Sequence, residues 1–173
     1  IYKIKELGMT VLLVQVISIL SGFARMVFSR PLGKYSDKHS YASGMKLGIA
    51  INALGFLFLI FTNKSTWYFI IPYTILMSVA LAGTNANSFN IVYSYVEEKY
   101  VTGAMAINNS IAGIVGFGGS ILGGKILQIV QNNNNVIFGY HIYGQQLLGF
   151  ISIILSLIAI LYVTLAVEKM KTV

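Results

Sequence analysis

The chain has 173 residues, 56% of them hydrophobic and only 10% charged, too few charges to wet the surface of a soluble globule, which carries about 25%. Its net charge of +7 does not mark a nucleic-acid partner, because Lys and Arg stand at the ends of apolar blocks and form no basic stripe interleaved with aromatics. With no cysteine there is no disulfide frame and no Cys-based metal site. The mean hydropathy of +0.75 points instead to a chain whose solvent is lipid.

Five apolar blocks follow in order, at about residues 8–28, 44–61, 67–93, 103–130 and 146–167. Each is long enough to cross a hydrocarbon core of ~30 Å as a helix rising ~1.5 Å per residue. None alternates apolar and polar residues as a barrel strand would. The expected fold is therefore all-α, a polytopic membrane helix bundle. Upstream of the first block the chain opens at Ile1 within a Lys-Glu-Leu stretch, and it carries no signal-peptide pattern.

The first block contains Arg25, one turn from a basic connection, so its side chain is expected to snorkel to the headgroups or to pair with Asp37. That connection, Arg30 to Lys46, holds Arg30, Lys34, Lys38 and Lys46 against Asp37. Pro31 and Gly33 are expected to end the helix there, leaving Asp37 at the start of the next one, where the dipole favours an anion. The second and fifth blocks are almost purely apolar and are expected to face lipid. The third opens on Trp67, Tyr68 and Phe69 and closes on Tyr93, Tyr95 and Tyr100, an aromatic belt at each interface. Its interior carries Gly83, Asn87, Asn90 and Ser94 on one helical face, with Asn85 off that stripe. Amides in hydrocarbon need partners, so this face is expected to line a cavity or to hydrogen-bond another helix. In the fourth block Asn108, Ala112, Gly116, Ser120 and Gly124 recur every four residues. The last four form a small-residue ridge for close helix packing, and Asn108 is a further cavity candidate.

If the Arg30–Lys46 connection lies inside, the Ser94–Thr102 connection and the tail lie inside too. That side then holds Arg30, Lys34, Lys38, Lys46, Lys99, Lys169 and Lys171, against Lys3, Lys5 and Lys64 on the other. The positive-inside rule places the carboxy terminus in the cytoplasm. No enzyme emerges. Gly119 to Lys125 has the spacing of a phosphate-binding loop, but Ile126 stands where Ser or Thr should hold magnesium. His39 and His141 fall on opposite sides of the membrane, so no metal or other cofactor is expected.

Gly33, Asp37 and Lys38 have the spacing Gly-x-x-x-Asp-Lys between two spanning helices. This resembles the signature loop of the major facilitator superfamily, although Ser40, Tyr41 and Ala42 replace its following Gly and basic residues. Gly119-Ser120-Ile121-Leu122-Gly123-Gly124 is similar to that family's Gly-Pro-x-x-Gly-Gly helix motif. The run His141 to Gln146 resembles carboxy-terminal halves of low-GC Gram-positive members. The resemblance implies five of the six helices of a carboxy-terminal half in a bacterial cytoplasmic membrane, with a missing amino-terminal half as partner. It implies a secondary transporter that moves a small solute by alternating access, and Gly33 and Asp37 as a cytoplasmic latch between the halves. Two other classes remain open: a channel-like bundle, which needs a repeated pore ring, and a membrane scaffold or sensor that uses the small-residue ridge for partner binding.

Overall fold

The computed structural model describes residues 2–137 and 139–169; Lys171, counted above with the inner tail, lies outside them. The helices are α1 (Tyr2–Lys5), α2 (Val11–Lys38), α3 (Tyr41–Ile60), α4 (Ile70–Tyr95), α5 (Glu98–Asn132) and α6 (Gly144–Leu165). Short 3-10 turns, Trp67–Phe69 and Val167–Lys169, lead into α4 and follow α6. Between α5 and α6 a small antiparallel hairpin pairs β1 (Val136–Ile137) with β2 (Tyr140–His141). Five helices are long and apolar enough to cross a membrane. They run alternately up and down, as the all-α membrane bundle requires.

The helix ends differ from those expected. The first spanning helix does not stop at Phe28 but continues through Pro31 and Gly33 to Lys38. Pro31 removes the donor that would bond the Val27 carbonyl one turn back, a loss that spanning helices tolerate. The Ser29 hydroxyl donates to the Met26 carbonyl just before it, and Ser36 to Leu32 just after. The basic connection thereby shrinks to His39 and Ser40, with Arg30, Lys34 and Lys38 on α2 and Lys46 on α3. Ser40 caps α3, its hydroxyl accepting from Ser43 N at 3.0 Å. α5 likewise begins five residues earlier than expected, at Glu98, whose charge suits a helix amino terminus. At ~1.5 Å per residue its 35 residues span ~52 Å, more than the hydrocarbon core, so it tilts or projects. The asparagine run ends it. Asn134 and Asn135 adopt left-handed φ values of 53° and 58°, which Asn tolerates better than most residues. Their amides bond back to Gln131 and Val130, and Gly139, at φ 81°, turns the hairpin.

The packing reverses one expectation. The bland second block, α3, is no lipid-facing bystander but touches α2, α4 and α6. Gly44 and Gly48, one turn apart, explain this: small residues in a Gly-x-x-x-Gly register let helix backbones close up. A Cβ at Gly48 would stand 2.8 Å from Thr84 Cγ2 on α4. Farther along, Gly149 of α6 sits against Leu59 and Ile60 of α3. The Gly-rich α5 behaves oppositely. Only Val101 and Val130, near its ends, are buried, while Ile114 and Phe117 are 73% and 70% exposed.

The end of the bundle that carries α1 and the hairpin is stitched by side chains. Tyr2 donates to the Thr62 carbonyl at 3.1 Å and Lys3 Nζ to Thr74 Oγ1 at 3.1 Å. Glu6 accepts from Gln131 and Asn135. Gln146 Nε2 reaches the carbonyls of Ile60 and Thr62 at 2.7 and 3.0 Å. A cluster of Tyr2, Leu7, Met9, Ile17, Leu59 and Ile70 seals this end. At the opposite end Lys46 pairs with Glu168 at 2.6 Å and Ser43 donates to the same carboxylate, fastening the end of α6 to the start of α3.

Candidate functional site

The amides singled out on α4 do not share one environment. Asn87 is 2% exposed and lies where α2, α3 and α4 meet. Its Nδ2 donates to the Gly83 carbonyl at 2.7 Å, and a Cβ on Gly44 would come within 2.7 Å of that nitrogen. Ser36 of α2 closes the other side of Gly44. Within this chain Asn87 is thus a packing residue, its Oδ1 buried without a hydrogen-bond partner, and not part of an open wall. Asn90 is half-buried one turn on, and its carbonyl accepts from Ser94 Oγ.

The residues that do form a concavity are on the opposite side of the Asn87 stripe. Asn85, Ser88 and Phe89 of α4 face Met105, Asn108, Asn109 and Ala112 of α5 across a groove of about 200 Å³. Asn85 is ten residues from the carboxy-terminal end of α4 and Asn108 ten residues from the amino-terminal end of α5. At ~1.5 Å per residue both stand ~15 Å along the axis from those ends. The groove therefore joins three carboxamides and a hydroxyl at one height between two spanning helices. Asn108 had been picked out by its place on the α5 stripe. Asn85 and Asn109 had not, because each is off the four-residue repeat of its own helix. Only pairing α4 with α5 brings them together.

Along α5 the small-residue ridge is open. Ala112, Gly116, Ser120 and Gly124 are exposed, and nothing lies within 4 Å of a Cβ built at Gly116 or Gly124. Ser120 spends its hydroxyl on the Gly116 carbonyl at 2.8 Å, the back-bonding usual for serine in a spanning helix. Beyond Ala112, which borders the groove, no neighbour among the described residues packs into the ridge at Gly116 or Gly124.

At the α2–α3 corner Asp37 occupies the last turn of α2, not the first turn of the next helix as expected, so the dipole of its own helix does not stabilise it. It is exposed and forms no ion pair among the described residues, with Arg25 or any other cation. With Ser36, Ser40, Tyr41, Ser94 and Tyr95 it lines a recess of about 230 Å³ between the α2–α3 corner and the end of α4. Lys38 ends α2, where a cation suits the dipole. His39 stacks on Tyr35 with ring centroids 4.4 Å apart. A Cβ at Gly33 would meet nothing within 4 Å, so nothing in this chain requires glycine there.

The Gly-x-x-x-Asp-Lys run thus closes one spanning helix, two residues before the next begins, in a bundle of five among the described residues. The sequence profile of the Major Facilitator Superfamily matches residues 1–172. The chain belongs to the major facilitator superfamily. No curated protein and no solved structure matches it. As a major facilitator protein it is a multi-pass membrane protein of a family that carries small solutes across membranes.

Proposed function

We propose that this chain is the carboxy-terminal half of a secondary transporter, its spanning helices the eighth to the twelfth, and that the α4–α5 groove is its share of the solute path. The observation that carries this reading is the groove itself. Unpaired amides are costly in hydrocarbon, yet here Asn85, Asn108 and Asn109 converge on one concavity between two spanning helices, ten or eleven residues from the helix ends. Solute sites of such transporters lie within the membrane, between two halves that rock against each other. The open ridge on α5, and the exposed stripe of Leu12, Val16, Ile19, Phe23 and Met26 on α2, supply faces for the partner half.

The charge pattern orients the half. Arg30, Lys34, Lys38, Lys46, Lys99 and Lys169 gather at the end where α6 finishes, and the positive-inside rule supports a cytoplasmic side for that end, and for the carboxy terminus, in a bacterial cell. Gly33 and Asp37 then face the partner half across the cytoplasmic surface as a latch.

Uptake measured in vesicles tests the reading. The 173-residue chain alone is expected to give no uptake, and co-expression with the amino-terminal half is expected to restore it. Asn108→Ala is expected to depress uptake with assembly intact. The open ridge also suits a scaffold that binds a partner without transporting, and normal uptake by Asn85→Ala and Asn108→Ala together would favour that second reading.

A further inference from the structure

The chemistry of the groove narrows what it carries. Most membrane-embedded hydroxyls in this chain bond back to their own helix: Thr84 to Ala80, Ser94 to Asn90, Ser120 to Gly116, Thr164 to Ile160. Ser88, on the same helix as Thr84 and Ser94, does not, and the side chains of Asn85, Asn108 and Asn109 also have no hydrogen-bond partner among the described residues. Four polar side chains in a groove of about 200 Å³ are left with their donors and acceptors free.

All the residues lining the groove are uncharged. The nearest charged side chains on α4 or α5 belong to Glu98 and Lys99, nine or more residues from Asn108, or ~14 Å along the helix axis. An ion brought to this depth would lose its hydration without meeting a counter-charge. A carboxamide both donates and accepts, and so does a hydroxyl. The amides therefore match a neutral solute bearing several hydroxyls, while the Phe89 ring and Met105 thioether offer an apolar wall for its carbon skeleton.

We propose that the α4–α5 groove binds an uncharged, hydroxyl-bearing solute of hexose or nucleoside size. This rests on the groove being part of the solute path, and the test separates the two. Because the chain contains no cysteine, Ala112→Cys places a single thiol in the groove without removing an amide. Met105→Cys serves if the first variant is poorly made. With both halves assembled in membranes, a water-soluble maleimide should label the thiol. Glucose or uridine should slow that labelling, and which of them does so identifies the source of the hydroxyls. Glucuronate, glucosamine and uridine monophosphate should not. Adding Asn85→Ala or Asn108→Ala should raise the protecting concentration roughly five-fold for each hydrogen bond lost. Labelling blocked only by the charged compounds, or by none of the five, would overturn the solute class and leave the groove as a water-filled path. A thiol that never reacts in either variant would overturn the groove as a path, and the solute class with it.

Discussion

A methyl group added at Gly44 would overlap the Ser36 hydroxyl and stand 2.7 Å from Asn87 Nδ2 and 2.8 Å from Ser36 Cβ. The neighbours on α2 and α4 must move to admit it. Gly44→Ala should therefore lower stability by about 1–3 kcal/mol, the usual result of overfilling a packed site, read as a drop in melting temperature in detergent. Gly116→Ala meets open space and should leave that temperature unchanged. Asn87 and Asn108 separate in the same way. Asn87→Ala removes a buried hydrogen bond to Gly83 and should cost about 1 kcal/mol of stability without altering solute affinity, whereas Asn108→Ala should weaken affinity and leave the melt alone. These roles were only half legible in the sequence. Spacing of four and three placed Asn87 and Asn90 on one face, but spacing does not say whether a neighbouring helix already covers that face. Gly44-x-x-x-Gly48 was the available signal: a small-residue register on α3 brings α4 close, and the covered side of α4 is the one that carries Gly83 and Asn87.

At the scale of elements, helices are tied to one another at their ends. Gln146, near the start of α6, spans three backbone groups, accepting from Tyr143 N and donating to the carbonyls of Ile60 and Thr62. Gln146→Leu leaves the carbonyls at the end of α3 without that donor, and about 1–3 kcal/mol of stability should go with it. Parallel melts of Gln146→Leu and Gln146→Glu check this, since Glu keeps the cap on Tyr143 N but cannot donate while ionised. At the other end, hydrogen bonds from Lys46 hold the Glu168 carboxyl below its ordinary value of 4.5, burial opposes this, and the Ser43 hydroxyl assists. A carboxyl whose folded pKa is depressed stabilises the fold above its unfolded pKa, and that contribution disappears as pH falls through the lower folded value. The clasp of α6 on α3 should therefore weaken only as acid protonates this carboxyl. Hydrogen exchange at residues 165–169 should quicken on acidification beyond its intrinsic pH trend, and Glu168→Gln should abolish that excess. Helix ends were the least legible feature of the sequence. Pro31 and Gly33 are strong breakers in water, but within a bilayer an unpaired backbone costs more than a tolerated proline, so α2 runs on to Lys38. The hairpin after α5 was hidden inside a polar connection, its only trace the Asn run and Gly139, residues suited to positive φ.

For the molecule as a whole, hydrophobic block length decided the architecture, because about 20 apolar residues have few stable arrangements other than a helix across a bilayer. The all-α bundle was readable in that way, and the superfamily by resemblance, from the spacing of Gly33, Asp37 and Lys38. What the sequence misranked was exposure. Apolar α3 lies among neighbours and Gly-rich α5 stands away from them, since within one half composition does not distinguish a lipid-facing side from one awaiting a partner. Gly116→Leu probes that partner: it should leave the chain's own melt unchanged and weaken co-purification with the amino-terminal half, while unchanged co-purification would remove the ridge from the interface.

In the proposed topology five membrane crossings put the corner between α2 and α3 inside and the hairpin outside. A single cysteine at Lys38 and another at Tyr140, each in the cysteine-free chain, test it in intact cells with a maleimide that cannot cross membranes. The Tyr140→Cys protein should react at once, and the Lys38→Cys protein only after the cells are permeabilised. Equal reaction of both in intact cells would contradict the account.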